Sequence, residues 1–330
     1  MLAGSHSFVT ARVLVIAAAC GLALVGCGPA APRLAPPVEP YVVVLGTAQD
    51  GGLPHLGCER ECCRRAWREP GYRRLAASLL IADPSSGRRW LVDATPDIRE
   101  QLERAREHPP TRRSEGPRPP LFDGVFLSHA HIGHYTGLVH VGREAYGADR
   151  LPVFASASLR RYLEHNGPWS LLVSAGHIQL VTLAEGQPVS LAPELELTPV
   201  SVPHRDEYSD TFGFIVRGPS RALLYVPDID KWDRWERRLE DVLEEVDLAL
   251  VDGTFFADGE VPGRAMSEIP HPFIEETLAR LTALAPVERG KIVFTHLNHS
   301  NPAADAEGAA ARRINAAGCR VAREGEILPL

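Results

Sequence analysis

The chain has 330 residues, of which 45% are hydrophobic, and its formal net charge is −7. This length is enough for one large domain or two modest ones with a hydrophobic core. The mild acidity disfavours nucleic acid as the main partner, because phosphate binding requires a basic surface.

The first 26 residues have the pattern of a secretory signal. Arg12 precedes an apolar run that is too short to predict a membrane span, and small residues precede Cys27. The segment LVGC at 24–27 resembles the lipobox of bacterial lipoproteins, which implies that Cys27 becomes the lipidated first residue. We therefore expect an exported cell-envelope lipoprotein, anchored in the lipid bilayer through Cys27 and facing the periplasm. An uncleaved anchor and an ordinary signal peptide are the alternatives.

Residues 27–40 are dense in proline, which disfavours helix and sheet and favours an extended tether. The folded, catalytic domain is predicted to span residues 41–330. Export also bears on the cysteines of this domain, because thiols outside the cytoplasm tend to oxidise unless a metal holds them.

In the first half of the domain, β-branched runs alternate with helical patterns. Pro96 opens one of these helices, and proline is favoured in a first helical turn. Strands are predicted at residues 41–46, 77–83, 88–94 and 122–129, and helices at 96–108 and 134–147.

The second half continues the alternation. Strands are predicted at residues 151–156, 177–183, 194–202, 210–217, 221–228, 247–255 and 291–297. Helices are predicted at residues 158–166, 231–246, 271–284 and 303–318. Runs of strands with helices between them favour sheets that are covered by helices.

Three histidines, His129, His131 and His134, lie within six residues at the end of a predicted strand. Alternate side chains of an extended segment point the same way, so His129 and His131 can face one ion. A helix that starts near Gly133 turns His134 to a neighbouring position. Imidazole suits zinc and several other transition metals, and the pattern predicts a metal site. The alternative is a group of polar loop residues that cap the following helix.

This motif resembles the H-x-H-x-D-H motif of the metallo-β-lactamase fold superfamily, which also follows a strand. Four further segments resemble the superfamily's other motifs and occur in the same order. They are LVDAT at 91–95, VSVPHRDEYSDTFGFIV at 200–216, LLYVPDID at 223–230 and IVFTHLNHSNP at 292–302. The resemblance covers roughly residues 41–330. It implies an α/β fold, the αββα sandwich of two mixed β-sheets flanked by helices.

The resemblance also implies a metal centre. Its ligands would be His129, His131 and His204 for one ion, His134 and His296 for a second, and Asp228 between the two. Gly133 stands where the superfamily has an aspartate, so the second ion would have three protein ligands. Three ligands plus water make an ordinary catalytic zinc site. The second site is therefore expected to be weaker, and a one-ion enzyme is the alternative.

Two aspartates near these motifs have competing interpretations. By resemblance, Asp93 organises the histidine loop, whereas it could instead cap the helix after Pro96. Asp230 is well placed as the N-cap of a helix that starts at Lys231, which leaves Asp228 free to be the metal ligand.

The segment GCERECC at 57–63 places Cys58, Cys62 and Cys63 in a loop. Cysteines this close together predict a small structural zinc site. The alternative is a disulfide, which would join Cys58 to Cys63 or involve Cys319, because adjacent cysteines pair only with strain.

A more specific resemblance rests on LGTAQDGGLPHLGC at 45–58, TPDIREQL at 95–102, LVDGTFF at 250–256 and THLNHSNP at 295–302. These segments are similar to the coenzyme PQQ synthesis protein B family and to the related phosphodiesterase of phosphonate utilisation. In these relatives a cysteine cluster holds a structural zinc. In the phosphodiesterase a histidine three residues after the last active-site histidine completes it, and His299 has that position here.

The chain departs from both relatives. Their cysteine cluster is usually C-x-C-x-x-C, whereas here Arg60 replaces the middle cysteine and Cys62 would substitute for it. The PQQ family generally lacks the first two histidines and keeps the Asp-His pair, whereas this chain keeps His129 and His131 and has Gly133. We therefore do not expect the PQQ biosynthetic role to transfer.

Four further residues are candidates for the site. His271 precedes a proline at a helix start and is predicted to have a catalytic, substrate-contacting role. Asp252 ends a strand and could support the centre. Asp50 and His55 lie in a glycine-rich loop that can approach the metals in this fold, although an aspartate in such a loop is more often a turn residue.

Together these features predict a metal-dependent hydrolase of a small-molecule substrate. Its one or two zinc ions, or alternatively iron or manganese, would lower the pKa of water to about 7 and supply hydroxide at neutral pH. The ester, phosphodiester or amide-type bond that it would cleave is left open, because the fold does not select among them. The alternatives are an iron-dependent oxidative enzyme like the PQQ protein and a lipoprotein that only binds a partner.

Overall fold

The computed structural model describes Met1, residues 37–108 and 120–261, Gly263 and residues 265–330. The remainder of the predicted signal (1–26) and most of the predicted tether (27–40) lie outside the described residues. Pro37–Leu330 form one unit, and the first strand begins at Tyr41. Across the described ranges, no helix is both long and apolar enough to cross a membrane.

The strands alternate with helices along most of this unit. They are β1 Tyr41–Gly46, β2 Ser78–Asp83, β3 Arg88–Val92, β4 Gly124–Phe126, β5 Leu151–Ala155, β6 Ile178–Thr182, β7 Val189–Ala192, β8 Leu195–Ser201, β9 Phe212–Arg217, β10 Ala222–Val226, β11 Leu248–Asp252, β12 Ile292–Thr295, β13 Arg320–Val321 and β14 Ile327–Pro329.

The α-helices are short. They are α1 Glu61–Arg68, α2 Ile98–Arg104, α3 Ile132–Tyr135, α4 Ala157–His165, α5 Trp169–Ser174, α6 Leu239–Glu244, α7 Ile274–Arg280, α8 Pro286–Arg289 and α9 Ala309–Ala316. Single 3-10 turns extend or join several of them, at Pro70–Tyr72, Ala105–Glu107, Thr136–Val141, Trp232–Arg234, Met266–Glu268, Leu281–Ala283 and Pro302–Ala304.

The strands form two seven-stranded sheets with the orders β14-β1-β2-β3-β4-β5-β6 and β13-β12-β11-β10-β9-β8-β7. In the first sheet the pairs from β14 to β3 are antiparallel and those from β3 to β6 are parallel. The second sheet has the same arrangement, antiparallel from β7 to β10 and parallel from β10 to β13. Both sheets are therefore mixed.

Three apolar layers hold the sheets and helices together. One lies between the sheets and includes Phe126 and Phe214, whose rings meet edge to face. A second packs α2, α4 and α5 on the outer face of the first sheet, and a third packs α6, α7 and α9 on the outer face of the second. The predicted αββα sandwich is confirmed, and burial on both faces explains the nearly continuous apolar runs of the central strands.

The helix predicted at 231–246 is wrong as a single element. The chain forms a 3-10 turn at Trp232–Arg234, passes through an extended Trp235 and only then enters α6. Both indoles are buried: Trp232 donates to Oγ1 of Thr277 at 2.9 Å, and Trp235 donates to the carbonyl of Ser201 at 2.7 Å. These two tertiary contacts override the helical periodicity of the segment.

Other local predictions also need correction. The cysteine segment is not all loop, because Cys62 and Cys63 lie in α1. The helix predicted at 134–147 is the short α3 followed by a 3-10 turn, and the helix predicted at 303–318 is reduced to α9. The sequence patterns did not predict α5 or the short strands β7, β13 and β14.

Candidate metal centre

The candidate residues converge because they follow strands that run in one direction. In each sheet the pairing makes several strands parallel to one another: β1, β3 and β4 in the first sheet, and β8, β10, β11 and β12 in the second. Their carboxyl ends meet at one edge of the sandwich. The polar residues at or after these ends are Asp50, Asp93, His129, His204, Asp228, Asp252 and His296.

One group of donors, called site 1 below, comprises His129, His131, His204 and Asp228. The Nε2 atoms of His129 and His204 lie 3.4 and 3.2 Å from Oδ2 of Asp228. His131 presents its other ring nitrogen, Nδ1, which lies 2.9 Å from Nε2 of His129 and 3.1 Å from Nε2 of His204. His129, His204 and Asp228 are buried. Three imidazoles and a carboxylate thus share a space of the size that a metal ion fills.

A second group, site 2, comprises Asp50, His134 and His296. Oδ1 of Asp50 lies 3.4 Å from Nε2 of His134 and 3.6 Å from Nε2 of His296. Oδ2 of Asp228 lies 4.0 Å from each of these Nε2 atoms. Asp228 therefore lies between site 1 and site 2.

The ring nitrogen of each histidine that faces away from the shared space contacts a specific partner. These contacts are His129 Nδ1 with Ser128 at 3.0 Å, His131 Nε2 with Glu207 at 2.9 Å, His204 Nδ1 with Asp230 at 3.2 Å, His134 Nδ1 with Asp93 at 2.7 Å and His296 Nδ1 with Thr254 at 2.9 Å. Such contacts fix ring orientation and tautomer around protein-bound metals.

Asp93 holds the histidine loop in place. Its carboxylate accepts hydrogen bonds from the backbone amide of Ser128 at 2.8 Å and from the Ser128 hydroxyl at 3.0 Å, and it contacts His134. Asp93 has a φ of 66° and His296 a φ of 60°, both in the left-handed region that non-glycine residues seldom adopt. Strain of this kind costs of order 1–3 kcal/mol per residue and is typical of functional sites.

The residues of this edge fit a metal ion. Oδ1 of Asp50, Nε2 of His134 and Nε2 of His296 are buried without any hydrogen-bond partner. Unpaired buried polar atoms are costly, so three that face one another fit a bound cation. Imidazole with carboxylate is a donor set for zinc, iron and manganese.

The pKa shifts of the two carboxylates and of His129 favour cation binding. Burial lowers the pKa of His134 and of His204, but Asp93 and Asp228, respectively, outweigh burial and raise these pKa values, that of His204 to about 9. Burial opposes the charge of Asp228, but His204 and neighbouring histidines hold its pKa well below the usual range. Burial opposes the charge of Asp50 as well, and its contact with His134 contributes to a pKa well below the usual range. Burial, together with the charge of His134, lowers the pKa of His129 well below its ordinary value. Ionised carboxylates and a neutral imidazole are the forms that bind metals.

His271 lies beside site 1 although it is remote in sequence. Its Nδ1 is 2.8 Å from Oδ2 of Asp252 and 3.1 Å from Oδ1 of Asp228. Burial lowers the pKa of His271, but these two carboxylates outweigh burial and raise it above its ordinary value. Asp252 itself accepts hydrogen bonds from the backbone amides of Ile229 and Thr254 at 3.1 and 2.8 Å. The second ring nitrogen of His271 is thus the one available to a bound molecule.

A third donor group lies at the start of α1. Cys58, Cys63 and His299 have donor atoms within 4.8 Å of one another. The backbone amide of His55 donates to Sγ of Cys63 at 3.2 Å, and the His55 ring lies 4.4 Å from that of His299 between centroids. Burial raises the pKa of Cys63 to about 12, so the thiol is protonated unless a cation binds it.

Cys62 does not belong to this three-donor group. Its Sγ lies 3.9 Å from that of Cys63, on the same helix. The cysteines of the described residues, Cys58, Cys62, Cys63 and Cys319, are all free thiols, and Cys319 is buried in the apolar layer under α9. Neither disulfide alternative is therefore present in the structure.

Asp230 has a different position from the one expected. The 3-10 turn after it has Lys231 as N-cap and no side-chain cap. Instead, the Asp230 carboxylate contacts Nδ1 of His204 at 3.2 Å and accepts a hydrogen bond from Arg234 at 2.8 Å. The N-cap prediction is wrong, and Asp230 orients a donor of site 1.

Sequence reasoning did not assign Glu207, Ser128 or Thr254 to the site, and it treated Asp50 mainly as a turn residue. No sequence pattern marks the first three residues, because each one acts through a histidine. That histidine is adjacent in sequence for Ser128 and distant in sequence for Glu207 and Thr254. Asp50 did carry a signal: it follows a strand whose carboxyl end lies at the same edge as that of β3.

Comparison with known families assigns the chain to one of them. The Beta-lactamase superfamily domain matches residues 88–297, more than half of the chain. The chain belongs to the β-lactamase superfamily. The matched range contains His129, His131, His134, His204 and His296 of this superfamily member, but it starts at β3 and leaves out the loop after β1 that carries Asp50 and Cys58.

Two relatives of this superfamily member are coenzyme PQQ synthesis proteins B. That of Methylorubrum extorquens (strain PA1) is 26% identical over 309 residues, which is 88% of this chain and 100% of the relative. That of Xanthomonas campestris pv. campestris (strain B100) is 27% identical over 307 residues, which is 86% of this chain and 98% of the relative.

Solved structures have the same fold. Zinc-bound PqqB from Methylobacterium extorquens superposes with a TM-score of 0.71 at 24% identity, covering 88% of this chain and 100% of that one. A diphosphatase from the PhnP family gives a TM-score of 0.60 at 21% identity, covering 88% and 99%. At these identities the likeness supports the β-lactamase-superfamily fold and no particular substrate.

Proposed function

We propose that the protein is a metal-dependent hydrolase that cleaves an ester, phosphodiester or amide-type bond of a small molecule. The observation that carries this proposal is the convergence of five histidines and two aspartates on two adjoining spaces at one edge of the sandwich. Metals held by such donors supply water of lowered pKa and polarise the oxygen of the bond to be cleaved.

Site 1 and site 2 would each hold one ion, and zinc is the metal that the donors suit best. Both His129 and His204 approach the same carboxylate oxygen of Asp228 within 3.4 Å. The same oxygen lies 4.0 Å from Nε2 of His134. Asp228 therefore has the position of a ligand that two ions would share.

His271 would move the proton that the reaction requires. Its Nδ1 is held by Asp252 and Asp228, which fixes the ring beside site 1 and stabilises the protonated form. A histidine held in this way can donate a proton to a leaving group from its other nitrogen. Asp93 would act indirectly, by holding His134 and the backbone of Ser128.

The test is a double substitution in site 1. His129→Ala with His131→Ala removes two of three imidazole donors, so metal content and turnover should both fall to background in a broad ester, phosphodiester and lactam screen. His165→Ala is a matched control, because His165 is exposed on α4 and contacts only the carbonyl of Arg161 among the described hydrogen bonds. Unchanged hydrolysis in the double variant would contradict the proposal.

A second candidate function is an iron-dependent oxidative reaction, which the similarity to PQQ synthesis protein B favours. The same donors bind iron. Elemental analysis of native protein and a measurement of oxygen consumption separate the two. Iron in site 1 with oxygen uptake would support oxidation, and zinc without oxygen uptake would support hydrolysis.

Cys58, Cys63 and His299 would hold a structural zinc. The short contact between the His55 amide and Cys63 supports this assignment, because amide donors stabilise a thiolate sulfur. Cys62 lies beside this group, with its Sγ 3.9 Å from that of Cys63.

We also propose that the mature protein is a periplasm-facing lipoprotein, tethered to a bilayer through lipid on Cys27. The support is the LVGC segment and the proline-rich residues 27–40 that follow it. Cys27→Ser should abolish incorporation of labelled fatty acid and release the protein from the membrane fraction. A variant that stays membrane-bound and labelled would contradict the anchor.

A further inference from the structure

We propose that Asp50 is the protein ligand that replaces, from a different loop, the carboxylate that is missing at position 133. This inference rests on the proposed two-ion centre and specifies how its second ion is held. The second ion would then have Asp50, His134 and His296 as its own ligands, with Asp228 shared. Site 2 would therefore not be the weakened site that Gly133 alone suggests.

The space next to Gly133 is the first observation. A Cβ atom at Gly133 would lie 2.6 Å from Cα and 2.7 Å from Cγ of Asp50, closer than real Cβ contacts, and would collide with Oδ1. The Asp50 carboxylate therefore occupies the space that a side chain at position 133 would need. Glycine at 133 and aspartate at 50 are complementary. The site has a carboxylate, but the loop after β1 supplies it in place of position 133.

The loop that carries Asp50 is fixed to the segment after β12 that carries His296. Backbone hydrogen bonds of 2.8 Å run from Gln49 to the carbonyl of Leu297 and from Leu297 to the carbonyl of Thr47. A further 2.8 Å bond closes a tight turn between Gly52 and Gln49. Asp50 lies inside this turn, so its position relative to His296 is set by the backbone.

The contacts of Asp50 are those of a metal ligand rather than of a turn residue. In a turn role its oxygens would accept hydrogen bonds from nearby backbone amides, yet Oδ1 of Asp50 is buried and without a hydrogen-bond partner. Its nearest polar neighbours are two imidazole nitrogens at 3.4 and 3.6 Å. These distances exceed those of good hydrogen bonds.

The distances do match a shared ion. Zinc bound tetrahedrally at ~2.0–2.1 Å from its nitrogen and oxygen ligands separates those ligands by roughly 3.3–3.4 Å. His134 contacts Asp93 through Nδ1 at 2.7 Å, so Nε2 is the ring nitrogen that faces the Asp50 oxygen and the shared space.

The experiment measures ions per chain in the full-length protein loaded with zinc alone. Asp50→Ala should hold one ion fewer than the wild type, or bind its last active-site ion at least about tenfold more weakly, since even indirect partners of metals contribute 10–100-fold. Asp50→Asn, which keeps the shape and removes the charge, should show the same effect in smaller measure. Asp97→Asn is the matched control, because Asp97 accepts a bond from the Ala76 amide beside the same loop.

Native mass spectrometry and competition with a chelating dye give both the number of ions and their affinities. A Gly133→Ala variant should weaken the same ion without removing any donor, because its methyl group displaces the Asp50 carboxylate. Asp50→Ala protein that keeps every ion at wild-type affinity would overturn the inference, and so would a wild type that binds no second active-site ion. Neither result would disprove hydrolysis at site 1, which the His129→Ala/His131→Ala variant tests separately.

Discussion

Each histidine of the metal centre uses one ring nitrogen for a neighbouring residue and leaves the other for the shared space. For His134 the neighbour is Asp93, and for His204 it is Asp230. At site 2 this arrangement is costly without a cation, because Nε2 of His134 and Nε2 of His296 are buried without a hydrogen-bond partner. At the residue scale, this use of the two ring nitrogens is what makes the edge a candidate metal centre.

His271 gives a prediction at this scale. His271→Asn keeps a donor near Nδ1 for Asp252 and removes the second ring nitrogen. If His271 moves a proton, kcat should fall by about 10²–10⁴-fold while KM and metal content stay near those of the wild type. Steady-state kinetics with the best substrate of the screen, together with metal analysis, check this. An unchanged kcat would remove His271 from the mechanism.

Most of the candidate ligands could be located from the sequence, because they stand in short motifs at strand ends. His129, His131, His204 and Asp228 meet within 4.8 Å as the resemblance implied. Asp50 could not be assigned, because its role depends on the close approach of its loop to Gly133, where its carboxylate occupies the space that a side chain would need. Cys62 was grouped with Cys58 and Cys63 by spacing and by resemblance, but it is not one of the three donors that meet, although its Sγ lies 3.9 Å from that of Cys63.

At the scale of elements, α1 links the cysteine cluster to the second sheet's apolar layer. Cys63 and Ala66 of this helix are buried there, so the cluster and the layer share a side chain. A metal bound to Cys63 and His299 would join α1 to the loop that follows the metal-centre strand β12.

This link predicts a loss of stability when the cluster is broken. Cys63→Ala should remove one bound zinc and lower the unfolding temperature, because structural zinc sites contribute folding free energy directly. Cys319→Ala is the matched control: it also removes a buried thiol from the same layer but no candidate ligand. Thermal unfolding with metal analysis tests the pair, and equal effects of the two changes on both readouts would count against the zinc.

Elements with strong β-branched runs were well predicted, and so were the helices at 96–108, 158–166 and 271–284, whereas the helix at 231–246 was not. The segment 231–246 has helical periodicity, yet the burial of Trp232 and Trp235 against different partners breaks it. Nothing in the segment itself reveals those partners, since Thr277 and Ser201 lie in other elements. Tertiary contacts of this kind decide local structure where propensity is only a weak guide.

For the whole molecule, the two sheets have the same order of antiparallel and parallel pairs. This arrangement brings the carboxyl ends of β1, β3, β4, β8, β10, β11 and β12 to one edge and fills the three layers behind them with apolar side chains. The packed layers fix the positions of the candidate ligands, and these ligands lie at the edge of the sandwich. This architecture could be predicted from the order of motifs, because each motif stands at the end of a strand.

The most direct test of a two-ion centre is anomalous diffraction at the zinc absorption edge, on crystals of the zinc-loaded protein. The account predicts two peaks at the edge of the sandwich, each about 2.0–2.2 Å from its ligand atoms. One peak should be bound by His129, His131 and His204, the other by Asp50, His134 and His296, with Asp228 between them. A map without any peak among these side chains would contradict the account.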